Sequence, residues 1–123
     1  MVREDVILGK DVIIIEPVNI YGCKLADNVR IGPFVEIQKD VIIRKNSKIQ
    51  SHTFICEMVS IGESCFIGHG VMFVNDDFRI KHGPAQGDKN LWKRTIIEDN
   101  VSIGSNATIL PVRICSGSVI GAG

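Results

Sequence analysis

Two side chains that could act on a ligand, His69 and Asn75, lie in the segment "FIGHGVMFVNDDFR" at residues 66–79. An imidazole titrates near neutral pH, so His69 could accept or relay a proton. The carboxamide oxygen of Asn75 could accept a hydrogen bond from a ligand. Both residues also have ordinary structural roles, because asparagine suits tight corners and histidine is often a hydrogen-bonded surface group. Which role applies depends on the elements that hold them.

The sequence that leads up to these residues repeats every six positions. A large apolar residue recurs in phase nine times, at Leu25, Ile31, Ile37, Ile43, Ile49, Ile55, Ile61, Ile67 and Phe73. A small or β-branched residue precedes most of them by two positions, and glycine often follows. A period of six fits neither an α-helix nor a long alternating strand. It predicts short strands joined by tight corners, with three strands closing one coil every eighteen residues.

Coils of this kind would bury three columns of apolar side chains. Residues eighteen positions apart would stack in these columns: Leu25 with Ile43 and Ile61, Ile31 with Ile49 and Ile67, and Ile37 with Ile55 and Phe73. Neighbouring coils would hydrogen-bond about 4.8 Å apart. We therefore predict an all-β fold, a parallel β-solenoid that forms a single domain over residues 1–123.

The repeat is interrupted once, over residues 76–95, and resumes at Ile97. A segment that does not join the stack must project from it, and long irregular segments of compact domains are usually functional or disordered. The large apolar side chains of the segment, Phe78, Leu91 and Trp92, suggest that it docks on another surface. We therefore predict a projecting loop over residues 76–95.

The composition argues against several classes of protein. Lys plus Arg and Asp plus Glu number 14 each, and this balance argues against a nucleic-acid binder. The charged N-terminal sequence does not resemble a signal peptide, and no apolar stretch reaches eighteen residues. The cysteines have neither C-x-x-C nor metal-finger spacing, and we interpret them as small core residues: Cys23, Cys56, Cys65 and Cys115. We expect a soluble protein of the reducing cytoplasm.

The [Ile/Leu/Val]-Gly-x-x-x-x pattern over residues 12–123 resembles the hexapeptide-repeat acyltransferases, whose fold is a left-handed β-helix. Within that superfamily, "FVEIQKDV", "FIGHGVMFVND" and "SIGSNATILP" resemble the enzymes that N-acetylate nucleotide-linked 3-amino sugars during cell-surface polysaccharide synthesis. The resemblance implies acetyl-CoA as co-substrate, a UDP- or dTDP-linked amino sugar as acceptor, and no metal. It also implies a homotrimer in which the loop wraps a neighbouring subunit.

The resemblance assigns roles to several residues near the interruption. Asn75 takes the place of the asparagine that orients the acceptor amine, and His69 is then a candidate base or proton relay. Glu36 and Gln38 resemble contacts to the acceptor sugar. His52 precedes His69 by 17 residues, nearly one coil, so it could line the same groove as a further substrate contact.

The late coils resemble the coenzyme A region of the superfamily. The segments "SNATILP" and "VIGAG" match it, which makes the backbone at Ala107 and Ala122 the expected coenzyme A contacts. Related chains usually continue past the "GAG" that ends here at Gly123. The sequence therefore leaves open a truncated chain or an incomplete donor site.

Three other functions share this fold. A γ-class carbonic anhydrase binds zinc through three histidines, but His52, His69 and His82 lack the close pair of that family. A sugar O-acetyltransferase would need His69 as a true base, because a hydroxyl does not lose its proton unaided at neutral pH. A non-catalytic scaffold fits a chain that stops early.

Overall fold

The computed structural model describes residues 1–79 and 88–123. These residues form very short β-strands and a single-turn 3-10 helix, Lys89–Leu91, and none of their helices is long and apolar enough to cross a membrane. The strands are β1 (Ile7–Leu8), β2 (Ile13–Ile14), β3 (Asn19–Ile20), β4 (Lys24–Leu25), β5 (Arg30–Ile31), β6 (Glu36–Ile37), β7 (Ile42–Ile43), β8 (Lys48–Ile49), β9 (Phe54–Ile55), β10 (Val59–Ile61), β11 (Phe66–Ile67), β12 (Met72–Phe73), β13 (Thr95–Ile97), β14 (Ser102–Ile103), β15 (Thr108–Ile109), β16 (Arg113–Ile114) and β17 (Val119–Ile120).

The strands form three parallel sheets along one axis. Sheet 1 has the order β1-β4-β7-β10-β13-β16, sheet 2 the order β2-β5-β8-β11-β14-β17, and sheet 3 the order β3-β6-β9-β12-β15. Because three consecutive strands contribute one strand to each sheet, the chain winds through about six coils. The predicted parallel β-solenoid is confirmed, and it is consistent with the left-handed β-helix that the resemblance implies. We name each corner after the sheets it joins: the 1–2, 2–3 and 3–1 corners.

The predicted columns form the interior. Leu25 pairs in register with Ile43, which pairs with Ile61, and the column through Ile49 follows the same register. All nine predicted interior residues are at most 1 % exposed. Adjacent coils are joined by backbone hydrogen bonds; for example, the Arg44 backbone nitrogen donates to the Ile61 carbonyl at 3.0 Å. Stacking therefore buries the apolar side chains and, at the same time, pairs the backbone N–H and C=O groups of the strands in hydrogen bonds.

The corners explain the polar residues and glycines of the repeat. Most corners place one residue in the left-handed region, and asparagine, aspartate or glycine usually occupies it, as at Asn28 and Asn46. Glycine after the interior aliphatic has a different cause. A Cβ at Gly104 would lie 2.4 Å from the backbone nitrogen of Ala122 on the next coil. Close packing of coils at the corner excludes a side chain there.

The interruption leaves the stack undisturbed. Val59 of β10 pairs directly with Thr95 of β13, so the coil after the loop stacks as if the insertion were absent. The Lys93 backbone nitrogen donates to the Asn75 carbonyl at 2.8 Å and closes the base of the loop. Strand β13 begins at Thr95, the last residue of the predicted loop segment. Residues 80–87 of that segment lie outside the described part of the chain.

Three of the four cysteines lie in the interior as interpreted. Burial raises the pKa of Cys23 to about 12 and that of Cys56 to about 11, and it also raises the pKa of Cys65. These thiols therefore stay protonated near neutral pH. The core interpretation is wrong for Cys115, which is exposed. Residues 110–113 shift the repeat by one, and Cys115 falls just after the interior residue Ile114.

Candidate active site

The 2–3 corner presents His69 to solvent and fixes it from both neighbouring coils. The Ser51 hydroxyl lies 2.9 Å from His69 Nδ1. The backbone nitrogen of His69 donates to the Ser105 hydroxyl at 3.2 Å. A hydroxyl can donate or accept, so either ring nitrogen of His69 can carry the proton. An exposed imidazole with one nitrogen held and the other available has the arrangement that a proton relay requires.

His52 lies on the same corner, one coil below His69. Its backbone is left-handed, with φ 64°, and so is that of Phe34 on the preceding coil, with φ 61°. The two rings stack, with centroids 4.9 Å apart and planes 28° apart. Large residues seldom adopt this conformation, so both rings occupy positions that glycine or asparagine fills elsewhere. The stacked pair forms a flat, partly apolar wall beside His69.

The 3–1 corner holds a chain of hydrogen bonds that runs from Glu36 to Asn75. Gln38 Nε2 donates to Glu36 Oε2 at 3.1 Å, and the Glu57 backbone nitrogen donates to Gln38 Oε1 at 3.2 Å. Asn75 Nδ2 then donates to the Glu57 carbonyl at 3.3 Å. The structure therefore brings Asn75, Gln38 and Glu36 together, with Glu57 as the link.

Asn75 is not one of the corner asparagines. Its φ is not left-handed, unlike that of Asn28, and its side chain is buried at 9 % exposure. Asn75 Nδ2 donates to the Glu57 carbonyl, which fixes the orientation of the side chain. Oδ1 is the acceptor atom of the carboxamide, and it remains to accept a hydrogen bond from a ligand. The structural role that the sequence allowed for Asn75, a left-handed corner, therefore does not apply.

Asp76, beside Asn75, is a buried carboxylate that the sequence analysis did not identify. It is 5 % exposed, and its Oδ1 accepts from the Phe78 backbone nitrogen at 2.8 Å. Within residues 1–79 and 88–123, Asp76 Oδ2 and Thr95 Oγ1 have no hydrogen-bond partner. Buried polar atoms without partners are rare in native proteins and are often functional. Asp76 is therefore a candidate site residue.

The 3–1 corner carries several carboxylates, and cations pair with some of them, such as Lys93 with Asp77. The pKa of Tyr21 is raised, first by burial and then by the charges of Glu36 and Glu57, while Arg3, 5.5 Å from the centre of the phenol ring, lowers it. Lys89 Nζ approaches Glu57 Oε1 at 3.5 Å and balances part of this charge. Carboxylates around a small polar site favour a cationic or hydrogen-bond-donating ligand such as an amine.

The histidines and Asn75 do not meet. In coil 4, which comprises strands β10 to β12, strand β12 separates His69 from Asn75, so the two side chains lie on different corners. The outer face of sheet 3 lies between them and carries the half-buried Phe54 and the exposed Met72. The predicted site residues therefore form two groups, one on each side of this face.

The expected coenzyme A contacts share the corner of the histidines. Ala107 is an interior residue at 3 % exposure, and its carbonyl accepts from the Met72 backbone nitrogen at 3.0 Å. Ala122 is exposed and packs over Gly104. Both lie on coils above His69, at the 2–3 corner, so a ligand running along this corner would pass the imidazole.

The residues that support the site could have been found from the coil register. Ser51 precedes His69 by eighteen residues, and Glu57 precedes Asn75 by eighteen. Ser105 follows His69 by 36 residues, which is one coil of eighteen plus the insertion of eighteen. The described residues contain no group of three or more His, Cys, Asp or Glu that could hold a metal ion. His82 lies outside the described residues.

Comparison with known proteins gives two family matches. The family described as hexapeptide repeat of succinyl-transferase matches residues 94–123, and the bacterial transferase hexapeptide (six repeats) matches residues 22–57. Together the matched segments cover coils on both sides of the interruption at residues 76–95.

Curated relatives match most of this chain. The bifunctional protein GlmU of Thermosipho africanus is 41 % identical over 103 residues, 83 % of this chain and 20 % of the relative. GlmU of Carboxydothermus hydrogenoformans is 37 % identical over 103 residues, again 83 % and 20 %, and GlmU of Wigglesworthia glossinidia brevipalpis is 39 % identical over 101 residues, 81 % and 19 %. The chain spans about a fifth of the length of these relatives.

Proposed function

The chain belongs to the hexapeptide-repeat acyltransferase superfamily, and on that premise we propose that it transfers an acetyl group from acetyl-CoA to the amine of a nucleotide-linked amino sugar. Both matching families are described as transferases, one of them as a succinyl-transferase, and these descriptions support acyl transfer. UDP and dTDP are the proposed nucleotides. The proposed setting is cell-surface polysaccharide synthesis.

The observation that supports an amine acceptor is the 3–1 corner. Asn75 Oδ1 and Asp76 Oδ2 are acceptor atoms without partners among the described residues, and Glu36 and Glu57 lie near. An amine or ammonium group offers only donors when protonated, so it complements such a site. In this proposal Asn75 orients the amine, while Glu36 and Gln38 contact the sugar.

The proposed reaction places modest demands on the protein. The amine nitrogen attacks the thioester carbonyl, the C–N bond forms, the C–S bond breaks, and the sulfur leaves as a thiol that takes up the proton lost by the amine. A sugar amine has a pKa of about 8, so a useful fraction is already deprotonated near neutrality. Holding the amine in line with the thioester therefore contributes more than a strong base would.

The second candidate is transfer to a sugar hydroxyl, and the observation that favours it is the His69–Ser51 contact. A hydroxyl acceptor needs a base, and His69 is exposed with one ring nitrogen held at 2.9 Å from the Ser51 hydroxyl. In the amine reaction, we propose His69 as a proton relay and His52 as a further substrate contact. Because these histidines do not meet Asn75 within one subunit, they would act from the 2–3 corner of one subunit of the proposed trimer on an amine held at the 3–1 corner of another. Ala107 and Ala122 remain the proposed backbone contacts of acetyl-CoA, which would then run along the 2–3 corner.

An assay of thiol release from acetyl-CoA tests the proposed function. We expect release with UDP- or dTDP-linked amino sugars and none with the matched nucleotide sugars that carry a hydroxyl in place of the amine. Release only with the hydroxyl sugars would support the second candidate. No release with any acceptor would contradict acyl transfer to nucleotide sugars.

A homotrimer is part of the proposal. The outer faces of sheets 2 and 3 and their shared corner carry exposed apolar side chains, including Phe34 at 57 %, Phe66 and Met72. Adjacent exposed apolar faces on a stack of coils favour a closed ring of subunits. Sedimentation equilibrium at micromolar concentration is expected to give three chains per particle. A stable monomer under these conditions would exclude the proposed assembly.

A further inference from the structure

The outer face of sheet 1 carries a cleft that the proposed reaction does not use. Its volume is about 470 Å³, and its lining includes Ile42 and Ile96 as well as three arginines. The cleft exists because coil 4 contributes only Ser60 and Gly62 at this height, between longer side chains on the coils below and above. Two small residues in an otherwise filled outer column therefore leave room for a ligand.

Two of the three guanidinium groups are already paired. Arg94 donates to Asp40 Oδ2 at 3.0 Å, and Arg113 Nε donates to Glu98 Oε2 at 2.6 Å. The hydrogen bond from Arg113 is the main cause that lowers the pKa of Glu98, so that carboxylate is ionised near neutral pH. These pairs fix the rim of the cleft, and their charges largely cancel.

Arg44 is different from the other two. Its Nη1 donates to the Ser60 hydroxyl at 2.9 Å, and within residues 1–79 and 88–123 it has no carboxylate within ion-pair distance. The remaining carboxylate of the cleft, Asp99, accepts from the Glu63 backbone nitrogen at 2.8 Å. An unpaired guanidinium beside a hydroxyl is the donor set that binds phosphate oxygens.

We infer that Arg44 and Ser60 bind a phosphate group of a nucleotide in this cleft. The isoleucines of the lining, Ile42 and Ile96, suit the less polar remainder of such a ligand. The cleft also borders the candidate acceptor site, because Arg94 follows Lys93, whose backbone nitrogen donates to the Asn75 carbonyl. The choice of a nucleotide rests on the proposed function, in which both substrates carry phosphate: the acceptor as a diphosphate, coenzyme A as a diphosphate and a 3′-phosphate.

Titration calorimetry without turnover tests this inference, with UDP, dTDP, coenzyme A and dephospho-coenzyme A as ligands. The variant is Arg44→Gln, and the matched control is Lys10→Gln, which removes an equal charge from the exposed 1–2 corner of the first coil, away from the proposed subunit interface. Arg44→Gln is expected to weaken at least one ligand about tenfold, the loss for one charge-assisted hydrogen bond. Lys10→Gln is expected to leave all four affinities unchanged.

The ligands also separate the two sources of phosphate. If Arg44→Gln loses affinity for UDP or dTDP, the cleft binds the diphosphate of the acceptor. If it loses affinity for coenzyme A but not for dephospho-coenzyme A, the cleft binds the 3′-phosphate of coenzyme A. Equal losses in both variants, or unchanged affinities in Arg44→Gln, would overturn the inference, as would a wild-type protein that binds none of the four. Because binding is read directly, a loss confined to Arg44→Gln supports the cleft even if no acceptor is acetylated.

Discussion

Asn75→Ala is expected to lower kcat/KM for the amino-sugar acceptor by about 10- to 150-fold, the equivalent of about 1.5–3 kcal/mol. The variant removes the Oδ1 acceptor that we propose orients the amine. It also removes the donation from Nδ2 to the Glu57 carbonyl at 3.3 Å, which holds the side chain in place. Steady-state kinetics with acetyl-CoA at saturation measure the effect on the acceptor alone.

Asn46→Ala is the matched control for this variant. Asn46 lies at the 1–2 corner in the left-handed region, with φ 64°, far from sheet 3. Alanine tolerates that conformation less well, so the control is expected to lose stability and to keep its kcat/KM. The opposite pattern is expected of Asn75→Ala. If both variants lose only stability, Asn75 has a structural role and the acceptor site lies elsewhere.

Phe73→Ala is expected to lower the free energy of unfolding by about 3–5 kcal/mol. Phe73 is fully buried within its interior column, where it pairs with Ile109 on the coil above and occupies the position that isoleucine takes on the other coils. Removing the ring leaves a cavity between the coils. Because strand pairing holds the coils in place, they relax only partly into this cavity. Urea unfolding followed by circular dichroism gives the change.

Phe66→Ala provides the comparison for the core substitution. Phe66 belongs to the neighbouring strand β11 but lies on the outer face of sheet 2, at 44 % exposure. Its loss is expected to lower the free energy of unfolding of the monomer by under about 1 kcal/mol, because much of the ring stays in contact with water after folding. Equal destabilisation by the two variants, measured at a concentration where the protein is monomeric, would contradict the assignment of interior and outer faces.

The interior of the fold could be predicted residue by residue. Six residues per strand and corner is an even number, so each aliphatic returns to the same face, and nine in-phase positions are enough to specify the columns. The structure buries all nine. The prediction was less accurate where the step changes, and Cys115, which follows a shift of one residue, lies outside instead of inside.

The sequence singled out residues of the candidate site but not how the fold groups them. His69 and Asn75 were singled out because they precede the interruption, yet the structure places them on different corners, separated by strand β12. A six-residue period makes consecutive corners equivalent, so it does not distinguish the 2–3 corner from the 3–1 corner. Only the eighteen-residue register, which pairs Ser51 with His69 and Glu57 with Asn75, makes that distinction.

The contacts between distant parts of the chain depended on the folded coils. Arg94 reaches Asp40 across the loop insertion, and Arg113 reaches Glu98 after a step of seventeen residues between paired strands instead of eighteen. Periodicity reports which face a residue occupies, and that is enough to identify a core. It carries no information about how far a long side chain reaches along the axis, or about which neighbours are small enough to leave a cleft. Those properties depend on several coils at once, so they exist only when the coils are stacked.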